Sequence, residues 1–123
     1  MTGAPDCELC RPDQVLFELD EAYVRYDSHS LAAGHVLVVP RRHVANYFDM
    51  NIIEKIQIVE LLDRAKARIE ADHEPDGYNI GINIGTAAGQ SRMHVHVHLI
   101  PRYTGDVVDP RGGIRSVLAQ RRR

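Results

Sequence analysis

Met93-His94-Val95-His96-Val97-His98-Leu99-Ile100 alternates polar and apolar side chains with a period of two. That period belongs to a β-strand, where successive side chains point to opposite faces. His94, His96 and His98 therefore share one face, and Val95, Val97 and Leu99 share the other, suited to pack on a helix. A strand is predicted from His94 to Ile100, closed by Pro101, which cannot donate to a strand ladder. Side chains two apart on a strand lie roughly 6.6 Å from each other, close enough for neighbouring imidazoles to act on one ligand.

Upstream, Gly85-Thr86-Ala87-Ala88-Gly89-Gln90-Ser91 reads as a loop, and Tyr78 to Ile84 alternates as a second strand with Tyr78, Ile80, Ile82 and Ile84 on one face. From about Asp49 to Asp72 the period is helical. Ile52, Ile56, Val59 and Leu62 form one apolar series and Ile58, Leu61, Ala65 and Ile69 a neighbouring one. Asp49 or Asn51 can cap the start, and Glu74-Pro75-Asp76-Gly77 ends it. Three further β-type runs come earlier: Gln14 to Leu19, Ala22 to Tyr26 across a turn at Asp20-Glu21, and His35 to Val39, closed by Pro40. The last is almost continuously apolar, as expected of a strand buried on both faces. The order β-β-β-α-β-β with no room for parallel crossovers predicts an α+β fold. It consists of an antiparallel five-stranded sheet backed by one long helix, a single domain over residues 1–123.

Composition narrows the function. A chain of 123 residues, 44% apolar and 26% charged, is one globular domain. No apolar run reaches the length of a membrane span, and Met1 to Asp6 lack the basic and apolar regions of a secretion signal, so a cytoplasmic protein without a membrane partner is expected. A net charge of −2 argues against a binder of polymeric nucleic acid. Arginines gather near the C-terminus. Arg121 to Arg123 read as a solvated end, whereas Arg111 and Arg115 flank Gly112-Gly113, where a turn could aim a guanidinium at an anion.

The histidine strand has three readings: a half-buried strand of no chemical consequence, a catalytic metal site, or nucleophilic catalysis at phosphorus. Imidazole, neutral near pH 7, attacks phosphorus well and splits one displacement into two easier steps. Flanking imidazoles then offer donors to phosphoryl oxygens and a proton for the leaving group. The loop at Gly85 to Gly89 lacks the Gly-Lys-Ser/Thr of a P-loop and precedes a strand, which excludes a nucleoside-triphosphatase cradle. Cys7-x-x-Cys10 reads as inert thiols, a redox pair or half of a metal site. A thioredoxin-like motif would sit inside a βαβ unit, and a zinc site would need two ligands from distant sequence. His29 and His73 read as surface residues.

His94-Val95-His96-Val97-His98-Leu99-Ile100 resembles the His-φ-His-φ-His-φ-φ signature of the histidine triad (HIT) superfamily. His35 in Gly34-His35-Val36-Leu37-Val38-Val39-Pro40, the Gly89-Gln90-Ser91 step and Pro101-Arg102 fall at matching places. The resemblance implies a HIT-like fold and a homodimer. It also implies a nucleotide hydrolase that cleaves nucleoside phosphoramidates or dinucleoside polyphosphates and releases AMP from a purine nucleotide substrate. His96 would be the nucleophile, His98 and His94 its flanking histidines, and His35 the supporting fourth. Asn83, Gln90 and Ser91 match phosphate-binding positions and Asp27 a ribose-binding one, while Phe17 and Tyr26 are candidate apolar neighbours of the base. Members with an N-terminal Cys-x-x-Cys use a distant histidine pair for structural zinc, which here implies Cys7, Cys10, His43 and His94. A non-catalytic nucleotide-binding protein on the same fold is the alternative.

Overall fold

The structure, a computed structural model, describes residues 6–11, 13–28 and 30–113. The strands are β1 (Val15–Glu18), β2 (Ala22–Tyr26), β3 (Val36–Pro40), β4 (Gly77–Gly81) and β5 (Val97–Arg102), with the helix α1 (Ile52–Asp72) between β3 and β4. They form one sheet in the order β1-β2-β3-β5-β4, antiparallel at every pairing. The predicted sheet and its single long helix are both present.

Alternation assigns each face. Ala22 and Val24 of β2, Val36 and Val38 of β3, and Val97 and Leu99 of β5 pack with Ile58, Leu61, Ala65 and Ile69 of α1 into the main core, joined by Val95. The opposite face carries Tyr23, Leu37 and Val39, which pack with Leu9 into a second cluster. His98 also lies on this second face, opposite Leu37, which in turn pairs with Arg25. The imidazole face of the sequence thus turns away from the helix.

Some boundaries differ from the alternation pattern. Strand β5 begins at Val97, so His94 and His96 lie on the approach to it, where Val95 N–H donates to the Val44 carbonyl at 2.8 Å. Pro101 lies inside β5. The β3–β5 pairing ends at Leu99, so the proline has only β4 beside it and its missing N–H costs no ladder bond. Pro40 likewise ends β3 opposite Ala22. Strand β4 stops at Gly81, short of Ile84. Of the two apolar helical series, only Ile58, Leu61, Ala65 and Ile69 are buried; Ile52, Ile56 and Val59 are exposed, as is Ile80 on β4. His73 is half-buried at the end of α1, against the backbone of Gly34. A Cβ at Gly34, whose φ is +88°, would stand 3.1 Å from the His73 ring, so this turn into His35 requires glycine.

The helix start also anchors the site. Asn51, not Asp49, is the cap: its side chain accepts from Glu54 N–H at 2.8 Å, and Glu54 accepts from Asn51 N–H at 2.9 Å. Glu54 is fully buried and receives both Nε and Nη2 of Arg42, at 3.0 and 2.8 Å. That fork ties the segment carrying His43 to α1. The Arg42 hydrogen bonds hold the Glu54 carboxyl below the usual carboxylate range. A depressed folded pKa stabilises above the unfolded value, about 4.3, and the contribution is lost as pH falls through the folded value. Glu54→Gln is expected to cost roughly 2–3 kcal/mol at pH 7 by urea unfolding, with the gap from wild type closing below about pH 4. A gap unchanged at pH 3 would contradict the charge-based account.

Candidate active site

A short 3-10 turn at Glu8–Cys10 begins the site. Tyr23, buried on the second face, donates its hydroxyl proton to the Leu9 carbonyl at 2.5 Å and holds that turn against the sheet. Cys7 and Cys10 then meet His43, beyond the end of β3, and His94, before β5, with all four donor atoms within 4.8 Å of one another. Cys10 Sγ is 3.1 Å from His43 Nδ1 and 3.4 Å from His94 Nδ1, and Cys7 Sγ is 3.4 Å from His94 Nδ1. Sulfur and nitrogen ligands on a tetrahedral zinc stand about 3.6 Å apart, so the cluster has the spacing of a Cys2His2 centre. His94 Nε2–H donates to the Pro40 carbonyl at 2.6 Å, which leaves the Nδ1 lone pair facing both sulfurs. Burial pushes the His94 imidazole below its usual range, favouring the neutral form that a metal ligand needs.

The second group is the triad with its support. His96 Nδ1–H donates to the His94 carbonyl at 2.9 Å, so the Nε2 of His96 carries the lone pair. His96 is 9% exposed, against 1% for His98 and none for His35 or His94. It is therefore the most open imidazole of the group. The His96 and His98 rings lie edge to face with centroids 5.0 Å apart. Behind them, His35 Nε2 and His98 Nδ1 are 3.0 Å apart, and Asp27 Oδ2 lies 3.5 Å from the same His35 nitrogen. The turn returning from β2 to β3 sets this up, with Asp27 N–H donating to the His35 carbonyl and His35 N–H to the Ala32 carbonyl, each at 3.1 Å.

The loop before the triad is organised by Gln90. Its Oε1 accepts from Gly85 N–H at 2.8 Å, and its Nε2 donates to the carbonyls of Ala45 and Arg92 at 2.8 and 3.0 Å. The carboxamide is committed to backbone, so Gln90 shapes the loop while Ser91 beside it is exposed. Gly85 and Gly89 take φ of +87° and +96° to close that turn. Asn83 is half-buried just beyond β4, and Asp27 is buried with its carboxylate turned toward His35. Phe17 is half-buried and packs against the main core on the helix side; Tyr26 is 38% exposed at the end of β2. Arg111 pairs locally with Asp109 at 3.0 Å. His29, Arg115 and Arg121 to Arg123 lie outside the described residues. Sequence alone gave no sign of Tyr23 as the clamp on the cysteine turn, although period-two alternation along β2 places it on the site face.

The HIT domain profile matches residues 9–105 of the chain. The chain belongs to the HIT family. Among HIT relatives, AP-4-A phosphorylase of Mycobacterium tuberculosis is 39% identical over 74 residues, which cover 59% of this chain and 38% of that protein. Bis(5'-adenosyl)-triphosphatase of Saccharomyces cerevisiae is 33% identical over 101 residues, 78% of this chain and 49% of the yeast protein. The chain thus spans less than half the length of either relative. A solved zinc-bound histidine triad family protein from Mycobacterium smegmatis superposes with a TM-score of 0.74 at 29% identity, covering 96% of both chains. The HIT fold expected from the triad motif is the fold observed.

Proposed function

We propose that this HIT protein is a nucleotide hydrolase, with nucleotidyl transfer as the related chemistry, acting at the α-phosphate of nucleoside phosphoramidates or dinucleoside polyphosphates and releasing AMP. The observation that supports the proposal is the 2.9 Å hydrogen bond from His96 Nδ1–H to the His94 carbonyl, which leaves Nε2 of the neutral ring with the lone pair that a nucleophile needs. Nε2 attacks the α-phosphorus, the bond to the leaving group breaks, and water then cleaves the nucleotidyl-His96 intermediate. His98, supported by His35, meets the phosphate or the leaving group. Ser91 and Asn83 contact the phosphate, Gln90 holds the loop that presents Ser91, and Asp27 recognises the ribose hydroxyls. The names of the two enzyme relatives, a phosphorylase and a triphosphatase of adenosine polyphosphates, favour a purine substrate. The test is direct. The purified chain is incubated with an adenosine phosphoramidate and with diadenosine tri- and tetraphosphate, and AMP is followed. Binding of AMP without turnover of any of them would leave the non-catalytic alternative.

Cys7, Cys10, His43 and His94 are proposed to hold zinc, supported by their donor types and spacing and by the zinc-bound relative. Bound there, the metal supplies a structural cross-link between the N-terminal turn, the segment after β3 and the approach to β5. His94 then has a positioning role, because its ring serves the metal while its carbonyl orients His96. Reduced thiols suited to a metal agree with a cytoplasmic setting. Among the described residues no helix is long and apolar enough to cross a membrane.

The homodimer is proposed on the uncovered stripe Ile52, Ile56 and Val59, which are 66%, 56% and 61% exposed at helical spacing on α1. Ile56→Glu is expected to convert a dimer into a monomer in sedimentation equilibrium, with helix content unchanged. A wild type that sediments as a monomer, or a variant that remains dimeric, would contradict this.

A further inference from the structure

We infer that Cys7 and Cys10 are a peroxide-responsive pair: a hydroperoxide closes them into a disulfide, and a thiol reductant reopens it. The zinc reading above enters only through one consequence, the loss of both sulfur ligands at once. These are the two cysteines of the chain, and neither is disulfide-bonded, so an internal disulfide can join no other residues. They share one tight turn, in which Cys10 N–H donates to the Cys7 carbonyl at 3.2 Å. Such a turn holds Cα atoms three residues apart within about 7 Å, and disulfides span roughly 4.4–6.8 Å between Cα atoms. The sulfurs already lie within 4.8 Å of each other, and each stands 3.4 Å from the same nitrogen, His94 Nδ1. Side-chain rotation is therefore enough to bring them to bonding distance.

Access distinguishes the two thiols. A cavity of about 430 Å³ opens beside the turn, lined by Cys7 together with His43, Arg92 and Met93. That is ample for a peroxide little larger than water, which occupies roughly 30 Å³. Cys10 does not line this cavity, and its sulfur is engaged by both His43 Nδ1 and His94 Nδ1, at 3.1 and 3.4 Å. Cys7 is therefore the attacking sulfur and Cys10 the resolving one. The Cys7 thiolate attacks one peroxide oxygen: the S–O bond forms, the O–O bond breaks, and the departing oxygen takes a proton from solvent. The Cys10 thiolate then attacks the sulfenic sulfur of Cys7. The S–S bond forms, the S–O bond breaks, and the hydroxide leaves as water with a second solvent proton. Two electrons pass from the sulfurs to the peroxide. Metal binding needs thiolates, and His43 and His94 alone do not fill a tetrahedral site, so a zinc held by the four groups is given up. The cross-link behind His94, whose carbonyl orients His96, is lost with it.

The test exposes the zinc-loaded full chain to hydrogen peroxide and follows its intact mass and the metal captured by a chromogenic chelator. The chain is expected to lose the mass of two hydrogen atoms and to release one zinc for each disulfide formed. Dithiothreitol with added zinc should reverse both changes. Thiols that stay reduced while Met93, 42% exposed beside the same cavity, gains oxygen would overturn the inference. So would chains linked to one another by disulfides in place of the internal bond, and zinc retained after the disulfide has closed would refute its release. The order of attack is read with dimedone, which traps sulfenic acid: Cys10→Ser should be labelled at Cys7 at least about tenfold faster than Cys7→Ser is at Cys10. Equal rates would refute the assignment of Cys7. Should either variant fail to fold, brief exposure of wild type with dimedone decides, with the label expected on Cys7. Failure of the zinc reading has a different signature, an untreated chain that binds no zinc yet loses the two hydrogens to peroxide.

Discussion

His96→Ala is expected to lower AMP release by at least about 10⁴-fold, equivalent to roughly 5.4 kcal/mol of transition-state stabilisation, while the chain stays folded. The size follows from the division of roles in the site. His94, His35 and His98 are buried and engaged through their ring nitrogens by the cysteine sulfurs, backbone or each other, whereas His96, the most exposed of the four, donates Nδ1–H to the His94 carbonyl. His98, His35 and His94 are 1% exposed or less, against 9% for His96, so none of them is placed to replace the proposed nucleophile. Hydrogen bonds to phosphoryl oxygens would survive the substitution and leave AMP affinity within about an order of magnitude of wild type. Rapid-quench analysis with α-labelled substrate should trap label on the wild-type chain and none on the variant. Turnover by His96→Ala within tenfold of wild type would require a different nucleophile.

Cys10→Ser is expected to abolish zinc binding and to lower stability by about 4 kcal/mol when free zinc exceeds the dissociation constant a thousandfold, a melting shift on the order of 15 °C. Cys10 is the informative position because its sulfur is close to both histidine donors, 3.1 Å from His43 and 3.4 Å from His94. The cluster joins segments far apart in sequence; without the metal the Glu8–Cys10 turn is held by the Tyr23 hydroxyl, the packing of Leu9 and the ion pairs of Glu8 with Arg25 and Arg92. Chelation should lower the melting temperature of wild type and leave that of Cys10→Ser unmoved. Because His94 also orients His96, the variant should lose about 10- to 100-fold in turnover with little change in substrate affinity. One zinc per chain retained by Cys10→Ser would reject the site.

Much of the frame is legible in local pattern. The alternation in β2 and in the histidine segment assigns Val97 and Leu99 to the helix side and His98 to the other, and the helical period of 52–72 is clear. Local pattern is less informative about which apolar stripe the sheet receives. Ile52, Ile56 and Val59 are as hydrophobic as Ile58, Leu61 and Ile69, yet they are exposed, because the rotation of α1 is set by packing against β2 and β3. Phe17 shows the same limit, since its place on the core side depends on the irregular β1–β2 register between Val15 and Phe17. Gln90 is recognisable as a polar loop residue, but its use as a staple on Gly85, Ala45 and Arg92 depends on chain segments brought together only by folding.

Side-chain chemistry and periodicity, which are properties of the residues themselves, suffice for the antiparallel α+β frame, the histidine face and the thiol pair. Tautomer and ligand geometry are decided by the backbone groups that meet each ring: the Pro40 carbonyl at His94, the His94 carbonyl at His96 and the Leu31 amide at His35. Every residue but proline carries the same amide and carbonyl, so no sequence pattern marks which of them faces an imidazole. Only the tertiary fold can separate the roles proposed for His96, His98, His35, His43 and His94, because each depends on which partner a ring nitrogen meets.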